Sequence, residues 1–184
     1  MTTAVKDHQG VLDFWFDPEN KPHWFKQSDA FDQMVAERLG PAHRRALAGE
    51  IDGWAVESRG LLALVILLDQ VPRNLQRGTP EAFATDAKAL ALARLAVDQG
   101  MDRGLDVDQR AFLYLPFEHA EDLADQERAV ALFRELGNAM YLDYAIRHRD
   151  VVSRFGRFPH RNDILGRESS PAERQFLETP GSSF

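Results

Sequence analysis

An all-α fold is what this chain of 184 residues predicts, on three observations. Apolar residues recur at helical spacing nearly throughout, and alternating strand patterns are scarce. Residues suited to helix capping open several of these periodic stretches. Glycine and proline close most of them. With 44% apolar and 28% charged residues the chain reads as globular rather than disordered. Its length is near that of one ordinary domain, so residues 1–184 are expected to form a single helical domain, frayed from about Thr179 to Phe184.

The elements follow in order. A first helix spans Gln9 to Phe16 and stops at Pro18. Ser28 caps a second, which is expected to end at Gly40-Pro41, with a short segment from Pro41 to Ala48 after it. Gly49 and Gly53 break the next stretch. Ser58 precedes an apolar helix from Arg59 to Gln70. Pro72 is expected to end it, because proline disfavours helical geometry in the residue before it, and Pro72 to Thr79 then reads as a loop. Thr85 or Asp86 opens an Ala-, Leu- and Val-rich helix that closes at Gly100. Asp106 to Gln109 has the form of a capping box, and its helix runs to Leu115, where Pro116 breaks or kinks it. Helices from Leu123 to Leu136 and from Ala139 to Phe155 end at Gly137-Asn138 and Gly156. Arg157 to Arg167 is a polar loop. Ser170-Pro171-Ala172-Glu173, a capping box with proline at the first helical position, starts a last helix to Leu177. About eight helices with short connections predict antiparallel neighbours, either as stacked hairpins or as a compact bundle.

Composition excludes several classes. The net charge is −7, from 22 basic and 29 acidic residues. With no basic tail, the chain suits neither duplex nucleic acid nor an anionic membrane surface. It has no cysteine, which removes disulfides, thiolate catalysis and thiolate metal sites and fits a cytoplasmic location. The longest apolar run, Leu61 to Leu68, is far short of the ~20 residues of a membrane span and reads as a buried helix. Rossmann, Walker and Gly-x-Ser-x-Gly loops are missing, so no cofactor is implied. No histidine has glutamate three residues before it. His119 and Asp122, with Glu118 near, could ligate on one turn, but a segment this acidic offers such groupings by chance, and no metal is expected.

Chemistry concentrates in two segments that echo each other: Asp69-Gln70-Val71-Pro72-Arg73-Asn74, and Phe155-Gly156-Arg157-Phe158-Pro159-His160-Arg161-Asn162. Each carries proline and then Arg-Asn. Guanidinium groups held by a rigid scaffold suit bidentate capture of carboxylate or phosphate. Between Arg147 and Arg167 stand six arginines against two aspartates, whereas Glu118 to Glu127 holds five carboxylates and no Lys or Arg. Arg73, Arg157 and Arg161, with Asp69, Asn74 and Asn162, are the candidate ligand-binding residues. His119 and His160, each beside a proline and among charges, are the candidate acid/base groups, with Glu118 or Asp122 to orient the imidazole. His148, four residues after Tyr144, reads as structural. Core packing is expected of the aromatics Phe14, Trp15, Phe16, Trp24, Phe25, Phe31, Phe112, Tyr114 and Phe117, although a wall of them beside the arginines would suit a ligand ring.

These words, together with Asp13-Phe14-Trp15-Phe16, Arg77-Gly78-Thr79, Phe83-Ala84-Thr85-Asp86 and Tyr114-Leu115-Pro116-Phe117-Glu118-His119-Ala120-Glu121-Asp122, resemble the bacterial domain-of-unknown-function family 924 from about Leu12 to Leu177. The resemblance implies an all-helical, tetratricopeptide-like fold and no agreed activity. Val71 stands where phenylalanine is expected, and Ala120 where serine is, which leaves no hydroxyl there.

Three readings follow. The arginines and histidines form a pocket, possibly enzymatic, for a small anionic molecule. Alternatively, helical hairpins present a groove for an acidic peptide or a C-terminus. The plainest reading is an internal Arg–carboxylate network that locks the last loop to the core.

Overall fold

The computed structural model describes residues 4–183, and among them it contains helices and turns but no strand. The α-helices are α1 (His8–Trp15), α2 (Asp29–Leu47), α3 (Ser58–Val65), α4 (Val71–Leu75), α5 (Asp86–Asp98), α6 (Val107–Glu118), α7 (Leu123–Leu136), α8 (Ala139–Phe155) and α9 (Pro171–Leu177). A π-helical turn, Ile66–Gln70, joins α3 to α4 without interruption, so 58–75 is one continuous rod. Both capping boxes close as expected, Asp106 with Gln109 and Ser170 with Glu173.

Two prolines expected to end helices do not. The helix α2 runs through Gly40-Pro41 to Leu47. An interior proline costs about 3 kcal/mol. Against that, Val35, Leu39, Ala42 and Ala46 form one stripe across Pro41, all at most 1% exposed. Beyond the proline Ala42, His43 and Ala46 are buried, so ending the helix at Gly40 would give up that packing. Pro72 likewise sits inside the 58–75 rod, because the π turn ahead of it has already rearranged the hydrogen bonding. Pro116 is also internal, with α6 continuing to Glu118 and His119 as its C-cap.

The 58–75 rod is the centre of the molecule. Every residue from Gly60 to Pro72 is buried, as expected of a helix apolar all round. Around it α3 meets α1, α5 and α6, while α4 packs on α2. The later helices pack in chain order, α6 on α7 and α7 on α8. Gly60 is where the centre is tightest. A Cβ there would stand 2.2 Å from the carbonyl oxygen of Trp54, a backbone atom that cannot turn away.

A satellite cluster of Val151, Val152 and Phe158, with Phe155 and Phe176 against it, fastens α9 to the end of α8. Past α9 the chain folds back: Ser182 is 7% exposed and donates its hydroxyl to the Leu177 carbonyl at 3.1 Å. Phe184, the last residue of the expected frayed tail, lies outside the described residues. Among the described residues, no helix is long and apolar enough to cross a membrane.

Gly60→Ala should therefore destabilise by about 1–3 kcal/mol or more, the usual cost of overpacking a core. Denaturant melting would read it. A midpoint equal to that of wild type would mean that the α3–Trp54 approach is looser than drawn.

Candidate functional site

The site begins with a missing amide proton. Val71 N–H reaches back five residues to the Ile66 carbonyl. Pro72, next in line, has no N–H to offer the Leu67 or Leu68 carbonyl. Side chains from two other elements take over. His43 of α2 donates Nδ1–H to the Leu67 carbonyl at 2.8 Å. The Thr85 hydroxyl, just before α5, donates to Leu68. Arg73 adds a donor, from Nη1, to the neighbouring Asp69 carbonyl. Buried carbonyls are thus satisfied despite the proline. The wider π turn carries Asp69 and Gln70 into the interior, at 0% and 6% exposure. Such turns recur at functional sites.

Asp69 is the hub. Its carboxylate accepts from His119 Nδ1 at 2.8 and 3.0 Å and from Gln70 Nε2 at 2.6 Å. Arg73 Nη1 stands 3.5 Å away. Burial alone would raise this carboxyl, but the Arg73 and His119 charges and the two donated hydrogen bonds outweigh it and hold it well below the usual range. With Nδ1–H committed to Asp69, His119 keeps its Nε2 lone pair available to the cavity it lines. Burial lowers the His119 pKa, with Asp69 opposing, so the ring is neutral at pH 7.

Beside the imidazole, Glu118 is 3% exposed. Burial and the neighbouring Asp69 charge push its pKa up to about 8, so it is mostly protonated at neutral pH. Its Oε1 lies 3.2 Å from His148 Nδ1, which donates to the Tyr144 carbonyl at 2.9 Å. Burial and the nearby His119 push His148 down to about 3, so it too is neutral. One protonated acid and one neutral base therefore face the same space, the arrangement that acid/base chemistry uses.

The two Arg-Asn words meet at one carboxylate. Arg73 grips Asp86 with both Nη atoms at 3.0 Å, and Arg161 Nη1 approaches the same group at 3.5 Å. Arg161 is 6% exposed and lies between the Phe83 and Phe158 rings, at 4.7 and 4.6 Å from their centroids. Its Nε has no hydrogen-bond partner among the described residues. Burial and the Arg73 charge lower its pKa to about 10. Above these groups lies a cavity of about 500 Å³, reached also by His160, Asn74 and Ser183. Burial and the Arg161 charge lower the His160 pKa to about 4.

Of the residues singled out in the sequence, Arg73, Asn74, Glu118, His119, His160 and Arg161 line this cavity, and Asp69 lies buried behind His119. Asn74 is anchored by Asp32 at 2.7 Å. Three others lie elsewhere. Arg157 grips Glu173 at 2.6 and 2.9 Å, and Asn162, fully buried, donates to Ser169 and Glu173. Asp122 caps α7. Asp86, Phe83 and His148 were missed as site residues. The first two stood inside a quoted motif without a role. The signal for His148 was its place one turn from Tyr144 on the inner face of α8. Among the described residues, no three His, Asp or Glu groups are arranged to hold a metal.

The molecule so defined is an all-helical protein with a polar cavity set among its helices. A family model described as bacterial protein of unknown function (DUF924) matches residues 11–181, and the chain belongs to that family. Among solved structures it is similar to a protein of unknown function, ATU0120, from Agrobacterium tumefaciens. The two are 47% identical over 93% of this chain and 96% of the other, with a TM-score of 0.88. No curated protein matches.

The raised Glu118 carboxyl has a direct consequence for stability. A carboxyl whose pKa is near 4.5 unfolded and about 8 folded binds more protons in the native state. Its contribution is full below pH 4.5 and is lost as pH rises toward 8, on the order of a few kcal/mol. Glu118→Gln mimics the protonated acid. It should leave the melting temperature near wild type at pH 5 and exceed wild type at pH 8.5. Parallel pH profiles for the two proteins would mean that Glu118 is ionised in the folded state.

Proposed function

We propose that the cavity binds a small organic anion and that His119, oriented by Asp69, acts on it as a general base, with Glu118 as the matching acid. The observation that carries this reading is Arg161. A buried guanidinium ordinarily has a close, hydrogen-bonded carboxylate. Among the described residues Arg161 has one shared carboxylate partner, at 3.5 Å, yet it lines a cavity large enough for a metabolite. An anion would supply the missing acceptor.

The acid/base assignment rests on the Asp69–His119 pair. The carboxylate fixes the tautomer and the ring orientation, so the base is held in place before any ligand arrives. The chain has no cysteine, and among the described residues the hydroxyls of the cavity lining are those of Ser183, Tyr144 and Tyr141, the last donating to Asp108 at 3.2 Å. Direct proton transfer, or activation of water, is therefore the chemistry this arrangement favours. The deep burial of Asp69, Glu118 and Arg161 favours a small molecule over an acidic peptide, whose backbone would have to enter with its side chains.

A thermal-shift panel of small carboxylates and phosphates tests the reading on three proteins: wild type, Arg161→Gln and Arg157→Gln. At about 100 times its dissociation constant a ligand adds about 2.7 kcal/mol of stability. At least one anion class should raise the melting temperature of wild type and of Arg157→Gln, and fail to raise that of Arg161→Gln. If no anion shifts wild type, or if Arg161→Gln responds as wild type does, the proposal fails.

A further inference from the structure

The same cavity constrains its ligand further than charge alone, granted that it is an anion site. Its volume of about 500 Å³ is more than ten times the ~30 Å³ that one water takes up in the liquid. An acid group of two or three oxygens fills a small part of that. The rest is bounded by a mixed lining that includes Trp24, Phe25, Phe83, Tyr141 and Tyr144. Phe25 is 60% exposed and Tyr144 47%, and both line the cavity, so both stand at its open side. Single exposed aromatics are ordinary, but their grouping at one opening is a recognition feature.

These rings are held rather than loose. Phe25 stacks on the buried Phe112 with centroids 5.9 Å apart and planes within 3° of parallel. Trp24 meets Phe112 edge to face at 4.6 Å and donates its indole N–H to the Trp15 carbonyl at 2.8 Å. The polar edge of Trp24 is thus satisfied inward, while its ring still bounds the cavity. A fixed aromatic wall lets a ligand bury apolar surface at little entropic cost.

The floor is close to charge balance before anything binds. Arg73 and Arg161 face Asp69 and Asp86, and Glu118 is held as the neutral acid. At the floor a dianion would add two charges and a monoanion one, while Lys26 and Arg77, the latter already paired with Asp32, also line the cavity.

We infer that the ligand is an amphipathic monocarboxylate, its acid group on Arg161 and its aryl or alkyl portion against Trp24, Phe25 and Tyr144. Phosphate and short acids lack either the charge match or the apolar part.

Titration calorimetry on the full chain tests this with acetate, 3-phenylpropionate, 3-phenylpropanol, inorganic phosphate and a short peptide ending in phenylalanine. The expected result is 3-phenylpropionate binding at least tenfold tighter than acetate, phosphate and the alcohol. Phe25→Ser, a change at an exposed ring that leaves the core intact, should cut the phenylpropionate-to-acetate ratio at least fivefold. Acetate or phosphate binding as tightly as phenylpropionate would overturn the amphipathic ligand and leave the anion site standing. So would an unchanged ratio in Phe25→Ser. A peptide tenfold tighter than phenylpropionate would assign the cavity to a protein C-terminus and overturn the inference as well. If the alcohol binds as well as the acid, or if nothing binds, the anion site itself fails and the inference falls with it.

Discussion

The absent amide proton of Pro72 is the constraint around which the centre of this molecule is arranged. A proline in a helix interior leaves carbonyls without donors, and in a rod buried from Gly60 to Pro72 no water is at hand to serve them. His43 comes from α2 and Thr85 from just before α5 to fill these positions. One local defect thereby ties three elements together. The π turn that accompanies it brings Asp69 to full burial facing His119, at the end of α6. The Asp69–His119 pair and the helix junction are thus the same feature. A substitution that restored a regular α-helix here would remove the reason for the His43 and Thr85 donors and for the placement of Asp69.

Charge is segregated in the fold as it is in the sequence. The arginines after α8 divide between two tasks. Arg157 and Arg167 are structural: Arg157 holds Glu173, and Arg167 grips Glu121 at 2.6 and 2.9 Å, while Glu121 also accepts the Phe158 amide at 2.8 Å. These contacts fasten the last loop to the turn after α6. Arg161, between them in sequence, points the other way, onto Asp86 and the cavity. An internal lock and a ligand site are therefore not rival uses of this loop. The lock holds the backbone on either side of Arg161, and so holds a buried guanidinium in a position that its own ion pair would secure weakly. Preorganisation of this kind is what anion recognition needs.

Helical periodicity and caps made most elements legible, because those signals are local. The prolines were misread for an equally physical reason. Whether Pro41, Pro72 or Pro116 ends a helix depends on how much buried surface lies beyond it and on whether a distant side chain supplies the lost donor, and neither is visible in a window of ten residues. The polar site was partly legible. The Pro and Arg-Asn words at 72–74 and 159–162 drew attention to Arg73 and Arg161, which meet on Asp86. The words do not distinguish Arg161 from Arg157, four residues earlier. That distinction depends on which way each side chain leaves its turn. His148 looked structural because its i−4 partner was obvious, and nothing local placed Glu118 beside it.

The account stands or falls on His119 being a neutral base oriented by Asp69. Long-range proton–nitrogen correlation spectra of the histidine rings, with His119 assigned by its loss in His119→Gln, measure this directly. The predicted result is a neutral His119 at pH 7 with its proton on Nδ1, remaining neutral as pH falls below the ordinary imidazole value near 6.5. A His119 that is charged at pH 7, or neutral with its proton on Nε2, would contradict the geometry and the chemistry built on it.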